Sequence, residues 1–192
     1  MKANNLSHDG VNKMRIAEEY LRVIDSRFKA LKVQGDRSFH QLSDEKIHWR
    51  LNETSNSIAV IAKHLSGNMI SRWTDFLTTD GEKSTRKRDD EFIDDIASLD
   101  ALITIWDAGW EVLFQSIQSL TPDDLLKQVK IRGEEQSVID AIERQIAHYA
   151  SHIGQIIYIA KQINDKDWKT LSIPKGQSEA YRHEMLKKNK KK

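Results

Sequence analysis

The sequence predicts an all-α protein: a four-helix bundle with a long loop before its second helix and an extended C-terminal tail. Two observations carry that expectation. Four long segments place apolar residues three or four positions apart, the spacing of one helix face. Two prolines and eight glycines in 192 residues leave long stretches without a helix breaker. A chain of this length can bury a substantial single core. Residues 1–175 are expected to form one domain, and residues 176–192 a disordered basic tail.

The first segment carries Val11, Met14, Ala17, Leu21, Ile24, Phe28 and Leu31. These make one stripe over residues 10–34, which Gly35-Asp36 is expected to end. Residues 37–55 are mostly polar. Their apolar members Phe39, Leu42, Ile47, Trp49 and Leu51 keep no period, which predicts a loop with a short helix over 43–48. Asn56 or Ser57 then caps the second helix. Its stripe is Ile58, Ile61, Leu65, Met69, Trp73 and Phe76, and the helix should fail near residues 78–81.

The charged run over residues 80–90 reads as a surface loop. The third helix has the most regular stripe: Ile93, Ile96, Leu99, Ile103, Trp106, Trp110, Leu113, Ile117 and Leu120. Thr121-Pro122-Asp123-Asp124 closes it. Trp106 and Trp110 lie on the core stripe and read as packing residues. Residues 127–132 partly alternate polar and apolar, which predicts one short strand or an extended connector before Gly133. Ser137 with Asp140 has the form of a capping box for a fourth helix over residues 138–163. That helix is apolar over a wide arc and should be the most buried. Residues 164–192 are expected to run extended over the bundle and then become disordered.

Composition removes several function classes. Lys+Arg is 30 against 29 Asp+Glu, a balance unlike that of a dedicated nucleic-acid binder. The basic block 187–192 reads as a solvated tail. There is no cysteine, which excludes disulfides, thiolate-ligated zinc and a cysteine nucleophile. Any thiol chemistry needs a thiol from outside the chain. No apolar run approaches the ~18 residues that span a bilayer. Residues 1–10 lack the apolar stretch of a secretory signal. The expected compartment is the cytoplasm, with no membrane partner. Arg72 and Arg132 read as members of solvated salt bridges, with recognition of a substrate carboxylate as the alternative, and Thr78-Thr79-Asp80-Gly81 lacks the pattern of a phosphate-binding loop.

The histidines are the most informative residues. His148 and His152 stand four apart in the fourth helix, so their imidazoles project from one side, one turn apart. Two neutral imidazoles so placed can share one transition-metal ion, and a third from a facing helix completes a triad. His64 sits beside Ile61 and Leu65 on the second helix and is the candidate third. Asn68 follows it by one turn, as a partner of the site or a substrate contact. At about 100° per residue, His148, His152 and Gln155 fall within an arc of about 60°, with Gln145 close to the same line. Trp73 is a candidate cover for the cavity. Trp49 and Asn52 are candidates to frame its entrance. The alternative is a set of unrelated histidines.

The run Ile58-Ala59-Val60-Ile61-Ala62-Lys63-His64-Leu65, followed by Trp73, resembles the second-helix motif of the DinB/YfiT-like metalloenzymes. His148-Tyr149-Ala150-Ser151-His152-Ile153-Gly154-Gln155 resembles their fourth-helix HxxxHxxQ motif. The resemblance spans roughly residues 10–165. Asn56-Ser57-Ile58, Ser71-Arg72-Trp73-Thr74-Asp75-Phe76 and Ile131-Arg132-Gly133-Glu134 point to a bacillus-type branch of unknown function. The resemblance implies a DinB-like bundle in which His64, His148 and His152 hold a divalent metal ion, zinc or nickel foremost. Some of that superfamily are thiol S-transferases that use bacillithiol or mycothiol, or are thiol-dependent isomerases. Related bundles often pair through helix faces, so a homodimer is expected. Three readings follow, each with a small-molecule substrate or ligand. One is a transferase activating a low-molecular-weight thiol such as bacillithiol. Another is a metal-dependent hydrolase, for which Glu53 and Glu143 are the weak candidates as general base. The third is a non-enzymatic, metal-stabilised, stress-related binding module.

Overall fold

The computed structural model describes residues 8–190, with side chains from residue 12 onward. The Val11 side chain, most of the segment read for a secretory signal, and Lys191 and Lys192 of the basic block lie outside the described residues. Four helices form the expected all-α bundle: α1 (His8–Phe39), α2 (Ile58–Trp73), α3 (Leu99–Ser119) and α4 (Val138–Asn164). A fifth helix, α5 (Ser178–Asn189), lies near the C-terminus, and a small hairpin, β1 (Gln128–Ile131) with β2 (Glu134–Ser137), precedes α4. No helix among the described residues is long and apolar enough to cross a membrane.

Helix starts follow local capping chemistry. The hydroxyls of Ser57, Ser98 and Ser137 accept from the backbone N–H groups of Val60, Ala101 and Asp140. Each satisfies a donor that the first helical turn leaves free. α3 packs along α2, and α1 along α4. Gly109 allows the first contact, because a Cβ there would stand 2.9 Å from the Cα of Ser66. Phe28, Trp73, Trp110 and Tyr149 meet at the centre, with Phe28 within 6.4 Å, centroid to centroid, of the other three rings. Trp106 and Trp110 are core residues, as their stripe predicts.

The structure corrects several boundaries. α1 does not stop at Gly35-Asp36. Gly35 stays helical and leaves room for Trp106, whose Cη2 lies 2.9 Å from where a Cβ would stand. Asp36 accepts from Trp106 Nε1 at 2.8 Å. A glycine that reads as a stop signal is a packing choice. The short helix of the 37–55 segment shrinks to a 3-10 turn at Lys46–His48, which buries Ile47. α2 ends at Trp73 rather than near 78–81, because Thr74 is extended and Asp75 takes φ 48°. Phe76 is buried from the turn beyond. α3 begins at Leu99, so Ile93 and Ile96 precede the helix.

Residues 127–132 supply the short strand expected there, as one half of a hairpin. Its partner is β2, in the register Ile131↔Glu134. Arg132 (φ 57°) and Gly133 (φ 79°) form the two-residue turn, whose positive angles match the twist of paired strands. Residues 164–192 are not simply extended. A 3-10 turn covers Asp165–Asp167, and α5 occupies the stretch expected to be disordered, without burying any residue.

Candidate metal centre

His64, Asn68 and Arg72 follow one another at four-residue steps along α2, and all three are buried. This polar line faces α4 across the core. His64 Nε2 lies 3.4 Å from His148 Nε2. His152 completes the group: one ring nitrogen from each of the three lies within 4.8 Å of the others. The ring centroids are 4.7–5.4 Å apart. Two imidazoles bound tetrahedrally to one zinc ion at about 2.0–2.1 Å have nitrogens roughly 3.4 Å apart. The His64–His148 spacing meets that value, and a ligand nitrogen of His152 lies within 4.8 Å of both.

Hydrogen bonds at the far side of two rings favour this use. His64 Nδ1 lies 2.9 Å from Glu91 Oε2, and His152 Nδ1 lies 3.1 Å from Gln155 Oε1. Where these oxygens accept, each Nδ1 carries the proton, and the neutral ring presents Nε2 to an ion. Glu91 is itself fixed. Arg86 donates to its two oxygens, at 2.7 Å from Nε and 2.8 Å from a terminal nitrogen. Gly67 permits this approach, since a Cβ there would stand 2.8 Å from the Glu91 carboxyl carbon. Burial opposes ionisation of Glu91, yet its bonds to His64 and Arg86 hold its pKa below the ordinary carboxylate value.

Tyr149 forms the floor. Its hydroxyl donates to Asn68 Oδ1 and accepts from Trp73 Nε1, both at 3.0 Å. Tyr149→Phe leaves two buried groups without a partner, each costing about 1–3 kcal/mol. Chemical denaturation should show a loss of that order, with an unchanged helical spectrum.

Burial, then the nearby charges of His152, His64, Arg72 and Arg86, pushes His148 down to about 4. His152 is lowered by burial first and by His64 second. Both imidazoles are therefore neutral near pH 7, the form that binds metal. The unfolded chain takes up protons on these rings below its ordinary histidine pKa of about 6.5, where the folded chain does not. Metal-free protein should lose stability as pH falls from about 6.5 toward 4. Melting temperatures across that window check this; a flat profile contradicts it.

The expected site residues are distributed unevenly. His64, His148 and His152 converge. Gln155 sits against His152. Asn68 is one turn beyond His64 and is held by Tyr149 rather than by the histidine. Trp73 lies in the core beneath, 2% exposed, and reaches the site only through Tyr149. Trp49 lines an apolar cleft of about 380 Å³ that also includes Gln155, Ile61 and Tyr158. Asn52 does not line it and instead accepts from Thr54 and Ser55. Glu143 accepts from Tyr20, at 2.9 Å, and Glu53 lies exposed in the loop before α2. Neither joins the histidines.

Sequence reasoning missed Glu91, Arg86 and Tyr149. The charged run 80–90 looks like solvent-facing loop, and nothing in its spacing marks Arg86 as buried. Arg72 is likewise buried: it donates to the Gly81 carbonyl and, at 3.0 Å, to Glu82. Tyr149 had a readable signal. It lies seven residues after Ile142 and seven before Ile156, on the innermost line of α4.

No curated protein matches the chain. Residues 15–177 match the family described as Protein of unknown function (DUF1572), a span that covers all four bundle helices apart from the first residues of α1 and includes the three histidines. The chain belongs to that family.

Proposed function

We propose that this protein is a divalent-metal-dependent transferase of the DinB/YfiT-like type, which activates a low-molecular-weight thiol such as bacillithiol and joins it to an electrophile. The observation that carries the reading is the convergence of three imidazoles, two with Nδ1 turned away from the centre onto a side-chain oxygen. A zinc or nickel ion on three neutral ligands keeps an open position and its full charge, and so favours the thiolate form of a bound thiol.

The chain's own residues would then divide the work. His64, His148 and His152 hold the ion, and Glu91 with Arg86 fixes the ring of His64. Asn68 and Tyr149 keep the wall beside His64 in place. The apolar cleft bearing Trp49, Ile61 and Tyr158 suits an apolar electrophile. The cysteine-free sequence fits an external thiol as nucleophile. Glu91, fully engaged with His64 and Arg86, is poorly placed to serve as the free general base of a hydrolase, which favours thiol transfer over hydrolysis. The reading places the protein in the cytoplasm, where such thiols are kept reduced.

Metal-replete protein incubated with bacillithiol and an aryl halide should form the thioether faster than the His64→Ala variant. Equal rates in the two would contradict the proposal. Ester or amide turnover without added thiol would favour the hydrolase instead.

A further inference from the structure

A second cleft opens beside the histidines, about 200 Å³ in volume and lined by His64, His148, Asn68 and Gln145 together with Arg72, Arg86, Arg88, Arg132 and Arg144. Among the described residues, no carboxylate lines it. The arginines come from four parts of the chain: α2, the 80–90 segment, the hairpin turn and α4.

Only part of that charge is balanced. Glu82 pairs with Arg72, Arg86 and Arg132, and Glu91 pairs with Arg86. Asp80 accepts from the backbone N–H groups of Glu82, Arg132 and Gly133, and its charge also acts on Arg72. Arg88 lies 5.1 Å from the Phe92 ring and has no carboxylate partner among the described residues. Arg144 has none either. Two buried groups in the lining also lack partners: Arg72 Nε and Gln145 Oε1. Arg72 and Gln145 are 5% and 4% exposed. A buried N–H without an acceptor is costly, and the Gln145 amide can turn its NH₂ toward an incoming oxygen.

We infer that this cleft binds the anionic head of a small molecule, one carrying paired carboxylates or a phosphate, whose remainder reaches the three histidines. Guanidinium forks match such oxyanions in geometry and charge. The cleft is smaller than the roughly 300–1,000 Å³ of pockets that enclose whole ligands, so it takes a head group. His64 and His148 belong both to this lining and to the metal group, which sets the head directly beside the proposed reaction centre. As a statement about the thiol or its acceptor, the inference rests on the transferase reading; as an anion site it stands apart from it.

The test is calorimetric titration of the full chain, metal-loaded and metal-stripped, with malate and with inorganic phosphate at low salt. Arg88→Gln, Arg144→Gln and their double variant are compared with the parent. Both positions are exposed and form no ion pair among the described residues, so the fold should be retained, and metal content is measured alongside. One anion per chain should bind, with affinity falling at least tenfold in the double variant while metal content stays the same. Tighter malate binding identifies a dicarboxylate head, and tighter phosphate binding a phosphorylated one. No binding of either anion, or equal affinity in the parent and the double variant, overturns the inference. Intact metal content in that case leaves the transferase reading standing. Anion binding without metal uptake would remove the transferase and keep the anion site.

Discussion

Glu91→Ala is expected to be among the most damaging single changes outside the hydrophobic core. Glu91 and the Arg86 side chain are each buried, and the carboxylate accepts from both Arg86 and His64. Removing it leaves a buried guanidinium with only a 3.3 Å contact to Glu82. Truncating one member of a buried ion pair costs about 3–5 kcal/mol, most of it the desolvated charge left behind. It also frees the ring of His64, and losing such an outer partner lowers metal affinity about 10–100-fold. Glu91→Gln should separate the effects: it keeps the shape and a hydrogen-bond acceptor for His64 but loses the charge opposite Arg86. Denaturant unfolding and competitive metal titration read the two quantities. If Glu91→Ala unfolds like the parent and binds metal equally well, the role given to this carboxylate is wrong.

The second large effect concerns stability with and without metal. A ligand that binds only the folded chain stabilises it by about 4 kcal/mol at a thousand times its dissociation constant. For a chain of this size each kcal/mol moves the melting temperature by about 2–4 °C. Zinc or nickel should therefore raise the melting temperature of the parent by on the order of 10 °C. His152→Ala should show almost no rise. His152 is half-buried and contributes little to the core, so its loss should leave the metal-free protein close to the parent. An equal metal-induced shift in both proteins would mean that the ion binds elsewhere.

The bundle and the histidines were legible in the sequence for the same reason. Helical periodicity is local, and four amphipathic stripes must cover one another to leave water. The spacing of His148 and His152 is equally local, so one helix suffices to put both rings on one side. His64 needed the further step of placing α2 opposite α4. What periodicity could not reach was the segment between α2 and α3. Arg86 and Glu91 become buried only because the chain folds back over Gly67, and a charged run offers no pattern to mark that return. Gly35 shows the opposite problem, since its sequence signal is strong but the tertiary contact with Trp106 overrides it. The arginine cleft is a product of assembly: α2, the 80–90 segment, the hairpin turn and α4 each contribute, and no single stretch reads as basic.

The central claim is that His64, His148 and His152 bind one metal ion together. Elemental analysis of protein purified without a nickel column, beside His148→Ala prepared identically, tests it most directly. The account predicts close to one equivalent of a divalent transition metal per chain in the parent and nearly none in the variant. Equal metal content in the two proteins would contradict it.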